Sequence, residues 1–329
     1  MIKDNVLIIG FGSIGKQHCS VITKHHKKLR LIVVSKHKKP NIKNNIVFEN
    51  SVKKALKNYK FLAAIICSPS PNHYKEIIML LSKKINVLVE KPLFNEPISK
   101  RSKNKILYLL KKNKVTLQVG YLLRFHPLIQ FLKNEISSYY KNNFINVKMI
   151  TNSYLPNWRS TPYQKSVSAQ KKFGGGVLNE LSHEIDLIIY LFAKPKELFA
   201  RSINTKKLDI NVEDVSSVVL RTKKKINIFL HLDFSKLPEQ RLIEIESNKA
   251  SLKLDLNNGI FIKKNKKTSI KKKTKIRKNT LMQKQFNFFL KCIKKKNFTV
   301  QSFKDSLKVV NIISQIKKSN NNNHFEKLK

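Results

Sequence analysis

Residues 5–15 read Asn-Val-Leu-Ile-Ile-Gly-Phe-Gly-Ser-Ile-Gly, and this stretch decides the fold of the amino-terminal part of the chain. Its first five residues suit a buried strand, and residues 16–24 continue as a helix after the glycines. In such a strand–turn–helix, Gly10 permits a tight turn, Gly12 lets the backbone approach a pyrophosphate, and Gly15 lets the helix pack on the strand. The turn therefore predicts a dinucleotide site at a helix amino terminus. The predicted contacts are Gly10, Gly12, Ser13, Ile14 and Gly15.

The end of the second predicted strand, residues 29–34, favours the phosphorylated form of the cofactor. A site that prefers NAD usually carries Asp or Glu there to bind the ribose 2′-hydroxyl. Here the strand is followed by Ser35, Lys36, His37 and Lys38, which offer a hydroxyl and cations but no acid. We predict NADP(H), bound by Ser35 and Lys36, with NAD(H) as the alternative if these lysines only reflect the lysine-rich composition.

Apolar runs alternate with helical patterns in the amino-terminal third of the chain. Strands are predicted at 61–67, 86–89 and 115–120, and helices at 51–59, 71–83 and 98–112. This alternation is typical of an α/β fold with a doubly wound parallel sheet.

After residue 144 the rhythm changes. Strands are predicted at 197–204, 216–221, 226–234, 241–247 and 251–256, and helices at 281–294 and 302–317. Strands that follow one another without helices between them are mostly antiparallel, which predicts an α+β domain with an open sheet. We predict a nucleotide-binding domain over 1–122, a substrate-binding and oligomerisation domain over 123–319, and a disordered tail over 320–329.

The chain carries 67 Lys and Arg against 20 Asp and Glu, a net charge of +47. Such a charge suits nucleic-acid binding, but no helix-turn-helix, zinc-finger or aromatic-basic sheet signature accompanies it. Abundant Lys, Asn and Ile, with an Asn run at 320–323, are typical of AT-rich coding. We therefore interpret the charge as compositional drift and expect no nucleic-acid partner. The densest basic run, 263–278, is interpreted as a solvated hairpin or linker.

Cysteine usage and hydropathy indicate the compartment. Cys19, Cys67 and Cys292 are widely spaced, and they form neither a disulfide framework nor a metal-ligand spacing, so no metal is expected. No apolar run reaches the length of a membrane span, and the first residues lack the apolar core of a signal peptide. We expect a cytoplasmic protein with no membrane partner.

A second informative stretch is 174–186, Gly-Gly-Gly-Val-Leu-Asn-Glu-Leu-Ser-His-Glu-Ile-Asp. Asn179, His183 and Asp186 stand four and three residues apart, so we expect them on one helix face. An imidazole near a helix start, beside glycines that let a ligand approach, suits proton transfer. The alternative is a solvated or structural helix face.

Three short motifs follow predicted parallel strands, at the edge where open α/β sheets bind ligands. They are Ser68–His73, Glu90-Lys91-Pro92 and Gly120–Pro127. With the two glycine stretches above, they make the sequence resemble the Gfo/Idh/MocA family of NAD(P)-dependent oxidoreductases from residue 4 to at least residue 260. The resemblance implies a Rossmann domain, then a domain with an open, mostly antiparallel sheet, and redox chemistry on a sugar, cyclitol or related carbonyl compound. Further predicted cofactor contacts are Ser68, Pro69, His73, Glu90 and Lys91.

The resemblance also implies catalytic roles. Lys91 matches the lysine of the family's EKP motif and would stabilise negative charge on the reacting oxygen, with a cis peptide bond before Pro92. His183 matches the family's histidine and would be the general acid or base. The family commonly has Asp four residues before that histidine, where this chain has Asn179, whereas counting from the glycines places it at Glu180. Asn179 orients but cannot take a proton, and Glu180 orients or relays, so the Asp equivalent stays open.

Residues 154–168 resemble a subgroup of the family that is associated with sugars of surface polysaccharides and flagellar glycans. Its aromatic and cationic side chains would suit a pyranose ring and a carboxylate or nucleotide phosphate; alternatively its Tyr and Trp belong to the core or to a dimer interface. Family members usually associate through the outer face of the second sheet, so strands 226–234 and 241–247 are expected to line a homodimer or homotetramer interface. The predicted substrate contacts are Arg124, Tyr154, Trp158, Arg159, Tyr163 and Asp186.

These observations predict an NADP(H)-preferring oxidoreductase that passes a hydride between the nicotinamide and a ring carbon of a sugar, free or nucleotide-linked. Lys91 and His183 are the predicted chemical pair. Asn179 motivates one alternative, a non-catalytic NAD(P)-binding or sensing protein. The net charge motivates another, a basic nucleic-acid-binding protein.

Overall fold

The structure, a computed structural model, describes residues 4–35, 45–137, 145–224, 226–295 and 300–328. The chain forms two compact units. The first comprises residues 1–122 and 277–307, and the second comprises residues 123–276 and 308–329.

The first unit holds a parallel sheet whose six strands lie in the order β3-β2-β1-β4-β5-β6. Side chains of the central strands, such as Val6, Leu7 and Ile8, are fully buried, as expected for a parallel sheet that is covered on both faces. The strand order reverses between β1 and β4, where doubly wound sheets bind ligands at their carboxyl edge. The predicted Rossmann sheet is therefore confirmed. The strands are β1 (Asn5–Ile9), β2 (Arg30–Val34), β3 (Ile46–Glu49), β4 (Ala63–Ile66), β5 (Asn86–Val89) and β6 (Leu117–Val119).

The second unit holds a nine-stranded sheet in the order β14-β13-β12-β11-β7-β10-β9-β8-β15. Every pair in this sheet is antiparallel except β7 with β10, which is parallel. The predicted open, mostly antiparallel sheet is confirmed. The strands are β7 (Ile145–Asn152), β8 (Pro195–Ile203), β9 (Val215–Thr222), β10 (Asn227–Asp233), β11 (Gln240–Ser247), β12 (Ser251–Asp255), β13 (Ile260–Lys264), β14 (Ser269–Lys273) and β15 (Glu326–Lys327).

The helices cover these sheets and connect their strands. Ser51 and Ser99 cap two of them, because each hydroxyl accepts a backbone N–H of the first turn. The helices are α1 (Ser13–His25), α2 (Val52–Asn58), α3 (His73–Ser82), α4 (Lys100–Asn113), α5 (Pro127–Ser137), α6 (Val177–Glu180), α7 (Ser182–Phe192), α8 (Lys278–Lys294) and α9 (Val300–Asn322).

Helix α8 departs from the predicted domain ranges, because it belongs to the first unit although it follows the second sheet in sequence. Phe286 and Phe289 of α8 are buried against Cys19 and Ile22 of α1 and against strand side chains such as Val33. Burying two phenylalanines contributes about 3–6 kcal/mol of hydrophobic free energy. The first unit therefore completes its core with a segment from near the carboxyl end of the chain.

The segment predicted as a disordered tail is ordered over residues 320–328. Helix α9 extends to Asn322, and β15 pairs with β8. Ser319 Oγ and Asn320 Oδ1 accept backbone N–H groups of β8, and the Phe325 ring lies 5.4 Å from that of Phe199, so these side chains hold the end of the chain against β8. The basic run 263–278 includes the end of β13 and all of β14, which pair as a hairpin, and β14 is an exposed edge strand whose lysines oppose pairing with other chains.

Candidate active site

The turn after β1 has the geometry that its glycines predict. Gly10 has a φ of +96°, and a Cβ on it would lie 2.9 Å from the carbonyl oxygen of Cys67. A Cβ on Gly15 would collide with the carbonyl oxygen of Gly10. At Gly12, by contrast, an added Cβ would meet no other part of the described chain within 4 Å. The space beside the Gly12 backbone is therefore open to a ligand.

Helix α1 begins at this turn. Its first residue, Ser13, follows the exposed Gly12, which has no side chain to cap the helix, and the first turn contains no acidic residue. The first N–H groups of a helix lack partners within the helix, and together with the helix dipole they attract anions. The backbone of residues 12–15 thus fits the pyrophosphate of a dinucleotide. Ser13 is exposed and Ile14 is half-buried.

The predicted contacts to the ribose end of the cofactor are described only in part. Ser35 directly follows β2 and is half-buried. Lys36, His37 and Lys38 lie outside the described residues. The preference for a 2′-phosphate therefore stays a prediction.

His73 connects the loops that follow β4 and β5. Its Nε2 lies 2.8 Å from the carbonyl oxygen of Ser68, and its Nδ1 lies 3.1 Å from those of Pro92 and Leu93. Burial lowers the pKa of His73, and the carbonyl contacts of its ring oppose this shift. Because the side chain is only 1% exposed, His73 braces these loops from inside the unit. Ser68 and Pro69 are both half-buried at the end of β4.

Lys91 directly follows β5 and is half-buried. The Lys91–Pro92 peptide bond is cis, as the resemblance implies. The preceding Glu90 is buried, and its Oε1 lies 2.7 Å from Nε2 of His18 in α1. Because β1, β4 and β5 are neighbours in a parallel sheet, the glycine turn, the Ser68 loop and Lys91 share one edge of the first unit.

Residues 174–186 form two helices, so the expectation of one continuous helix face is wrong. Helix α6 ends at Glu180 and α7 begins at Ser182, because Leu181 has φ −94° and ψ 25° and interrupts the helical path. His183 lies in the first turn of α7, and Asp186 follows one turn later.

Asn179 is turned back into the glycine loop. It is 2% exposed, and its Nδ2 donates to the carbonyl oxygens of Gly174 at 3.0 Å and Gly175 at 3.4 Å. Glu180 and His183 are both half-buried. Of the two residues that compete for the family's Asp position, only Glu180 therefore has a carboxylate and an accessible side chain.

Arg124 and Asp186, both predicted to bind substrate, form an ion pair with each other in the second unit. Nη2 and Nε of Arg124 lie 2.6 and 2.8 Å from the two carboxylate oxygens of Asp186. Asp186 is 1% exposed, so this bidentate pair ties the short turn after β6 to α7. The guanidinium also lies over the Tyr190 ring, 4.9 Å from its centroid.

The aromatic stretch after β7 packs largely within the second unit. Trp158 donates from Nε1 to Oγ of Ser153 at 2.9 Å, and its ring meets Phe234 edge-on at 5.2 Å. This geometry favours the core alternative for Trp158. Tyr163 accepts the backbone N–H of Asp209 through its hydroxyl. Tyr154 and Arg159 are half-buried.

Two buried polar side chains, His18 and Glu184, were not among the predicted site residues. His18 has been described; Glu184, next to His183 in the second unit, is 1% exposed. Its Oε1 accepts the Thr151 hydroxyl at 3.0 Å and lies 2.7 Å from Nε of Arg241. No local sequence pattern distinguishes such a residue, because its partners come from other strands. Its position directly after the candidate histidine was the available signal.

In the described ranges, no group of three or more His, Cys, Asp and Glu side chains is arranged to hold a metal ion. Within the same parts of the chain, no helix is both long and apolar enough to cross a membrane.

Comparison with known proteins decides the family. Residues 5–121 match the GFO_IDH_MocA model, described as an oxidoreductase family with an NAD-binding Rossmann fold, and residues 145–253 match the GFO/IDH/MocA C-terminal domain. The chain belongs to the Gfo/Idh/MocA family. It is therefore a member of an NAD-binding oxidoreductase family, and the family prediction is confirmed. No curated protein matches the sequence.

Solved structures share the fold of this Gfo/Idh/MocA chain across its whole length. Myo-inositol 2-dehydrogenase from Lactobacillus plantarum is 16% identical, with a TM-score of 0.80 over 99% of both chains. Levoglucosan dehydrogenase in complex with NADH is 15% identical, with a TM-score of 0.85 over 99% of both chains. GenD2 from gentamicin A biosynthesis in complex with NAD is 16% identical, with a TM-score of 0.82 over 100% of this chain and 97% of that one.

Proposed function

We propose that this protein transfers a hydride between NADP(H) and a ring carbon of a sugar or related polyol. The observation that carries the proposal is the shared edge of the first sheet, where the open backbone at Gly12 follows β1 and Lys91 follows β5, on either side of β4. Two proteins with the same fold are named as dehydrogenases of myo-inositol and of levoglucosan. These names support a polyhydroxylated ring as the substrate.

Each residue has a distinct role in the proposed reaction. When bound, the nicotinamide supplies or accepts the hydride. Lys91 hydrogen-bonds the reacting oxygen and stabilises its negative charge. His183 takes the hydroxyl proton during oxidation and returns it during reduction. Glu180 orients His183 or relays its proton, while Asn179 holds the glycine loop in place. Because the protein makes no covalent intermediate, positioning supplies much of the rate.

A screen of polyols tests the proposal. The purified protein is incubated with NADP⁺ or NAD⁺ and a panel containing myo-inositol, levoglucosan, common hexoses, uronic acids and nucleotide-linked hexoses. Reduced nicotinamide is followed by its ultraviolet absorbance. We expect sustained turnover with at least one member of the panel. Tight cofactor binding without turnover on any member would favour a sensing protein instead.

We infer that NADP(H) is preferred over NAD(H), because the residues after β2 offer Ser35 and cations instead of an acid. Replacing Lys36 and Lys38 together by alanine should weaken NADPH binding by about 10-fold or more, since charge-assisted hydrogen bonds contribute about 1.5–3 kcal/mol each. NADH affinity should not change. Titration calorimetry measures both, with Lys53→Ala/Lys57→Ala in α2 as the control of equal charge. Tighter binding of NADH than of NADPH by the wild type would overturn the preference.

We further propose that the substrate is a sugar of a surface polysaccharide or flagellar glycan, free or nucleotide-linked. The support is the residue pattern of 154–168, where Tyr154 and Arg159 keep accessible side chains. Arg124 and Asp186 contribute to this site as an ion pair, in which each side chain neutralises the charge of the other. The free thiols of Cys19, Cys67 and Cys292 support a reducing compartment, which we take to be the cytoplasm.

We also propose that the protein is a homodimer or homotetramer that associates through the outer face of its second sheet. One row of outward side chains crosses six strands in register, namely Phe199, Val219, Phe229, Lys148, Glu244 and Lys253. Val219 and Phe229 are 44% and 40% exposed. The other half of the row is charged, with Lys253 and Glu244 2.8 Å apart. Apolar side chains flanked by ion pairs are typical of protein interfaces.

Replacing Phe229 by aspartate should weaken self-association by about 30-fold or more, because a buried interface aromatic contributes about 2 kcal/mol or more. Light scattering across a concentration series measures the change. Tyr108→Asp in α4, an exposed aromatic of the first unit, is the matched control and should associate like the wild type. A monomeric wild type, or unchanged association of Phe229→Asp, would contradict the interface.

A further inference from the structure

The first unit contains a buried hydrogen-bonded pair of side chains that the proposed chemistry does not use. Nε2 of His18 and Oε1 of Glu90 are 2.7 Å apart, and the two residues are 1% and 7% exposed. They are 72 positions apart in sequence. His18 lies on α1, five residues after the helix begins at the glycine turn, and Glu90 directly precedes Lys91. The pair thus connects the two features that carry the proposed function.

The surroundings keep Glu90 ionised. Burial alone would raise the pKa of its carboxyl, but the hydrogen bond and charge of His18, with the charges of Lys91 and Lys278, hold the pKa of Glu90 below its ordinary value. A buried carboxylate without such partners would cost several kcal/mol. The hydrogen bond from His18 is the largest of the interactions that stabilise an anion at this position.

The other carboxylate oxygen of Glu90 fills the space beside Gly120. A Cβ on Gly120 would lie 2.9 Å from Oε2, so the absence of a side chain there makes room for the carboxylate. Oε2 also accepts the backbone N–H of Lys91 at 3.4 Å. One carboxylate is thus bound by His18 of α1 and by the backbone of Lys91, in the space that Gly120 leaves after β6.

We propose that His18 and Glu90 are a positioning pair that fixes the Lys91 loop against the phosphate-binding helix. The proposal rests on the proposed function, because the loop is important only if Lys91 acts on the substrate. The pair holds the Lys91 backbone on one side and α1 on the other. It therefore sets the distance between Lys91, which hydrogen-bonds the reacting oxygen, and the glycine turn that binds the cofactor. Neither residue contacts the substrate. A misplacement of about 1 Å in such a group lowers rate by about 100-fold.

The decisive variants are Glu90→Gln, His18→Ala and the two combined. We expect each single variant to lower kcat by about 10- to 100-fold, while KM and the dissociation constant of the cofactor change by less than about 3-fold. The double variant should be no slower than the slower single variant, because both changes break one interaction. His18→Gln keeps a donor toward Glu90 and should recover much of the kcat that His18→Ala loses. Glu49→Gln, which alters another buried carboxylate of the same unit, is the control and should leave kcat unchanged.

The possible results separate the two proposals. If the wild type turns over and Glu90→Gln, His18→Ala and His18→Gln all match its kcat, the positioning pair is wrong and the proposed function stands. If the single losses multiply in the double variant, the two residues act independently and the pair is again wrong. If Glu90→Gln does not fold, the comparison of His18→Ala with His18→Gln decides. If the wild type binds cofactor but oxidises no member of the panel, the proposed function fails and the positioning role fails with it.

Discussion

Replacing Gly12 by valine is expected to abolish tight cofactor binding while leaving the fold intact. The φ of Gly12 is −74°, which valine adopts without strain, and no described part of the chain beyond its neighbours lies within 4 Å of an added Cβ. The side chain would instead occupy the space through which a pyrophosphate approaches the helix amino terminus. We expect the dissociation constant for NADPH to rise by about 100-fold or more, corresponding to about 2.7 kcal/mol.

Titration calorimetry with NADPH, together with a thermal unfolding curve, tests this expectation. The melting temperature of Gly12→Val should stay within about 2–4 °C of the wild type, the shift that about 1 kcal/mol produces in a chain of this size. Gly10→Ala is the informative comparison, because its φ of +96° and its approach to Cys67 O make any side chain strained. That variant should lose stability first. Wild-type affinity in a folded Gly12→Val protein would mean that the dinucleotide does not bind at this turn.

The second large effect is expected at the chemical pair. Lys91→Ala and His183→Ala should each lower kcat by about 100- to 10,000-fold, the range for removing a positioned proton-transfer or charge-stabilising group. Cofactor affinity should change little, because the phosphate turn is untouched. Steady-state kinetics on the polyol that the screen selects measures kcat, and fluorescence of bound NADPH measures affinity.

The matched control is His25→Ala, which removes an exposed imidazole of α1 and should retain wild-type turnover. Glu180→Gln and Asn179→Ala distinguish the two residues that compete for the family's Asp position. A loss of kcat in Glu180→Gln alone would assign the role to Glu180. Wild-type kcat in either Lys91→Ala or His183→Ala would remove that residue from the mechanism.

Local patterns in the sequence predicted much of the first unit. The strand before Gly10, the helix after it and the later alternation all follow from apolar periodicity and glycine placement, which depend on neighbouring residues. The return of α8 to the first sheet was not predictable in the same way. Phe286 and Phe289 have the spacing of apolar residues in any amphipathic helix. That spacing does not indicate which sheet the helix covers.

Several of the predicted site residues make contacts that the sequence did not predict. Arg124 and Asp186 were both expected to meet the substrate, yet they meet each other across 62 positions of sequence. Asn179 was expected on the face of His183, but the helix is interrupted at Leu181, and the Asn179 amide donates to the Gly174 carbonyl. For Arg124 and Asp186 the missing information is a partner from a distant element, and for Asn179 it is the break between α6 and α7. Spacing along one helix contains neither.

The transfer of substrate hydrogen to the cofactor tests the central claim most directly. The enzyme and NADP⁺ are mixed with the selected polyol, which carries deuterium at every carbon. The reduced cofactor is isolated, and its mass is measured by mass spectrometry. The proposed reaction predicts that each NADPH formed carries one deuterium at C4 of the nicotinamide and that Lys91→Ala forms almost none. Bound cofactor that stays oxidised with every polyol, or NADPH that carries no deuterium, would contradict it.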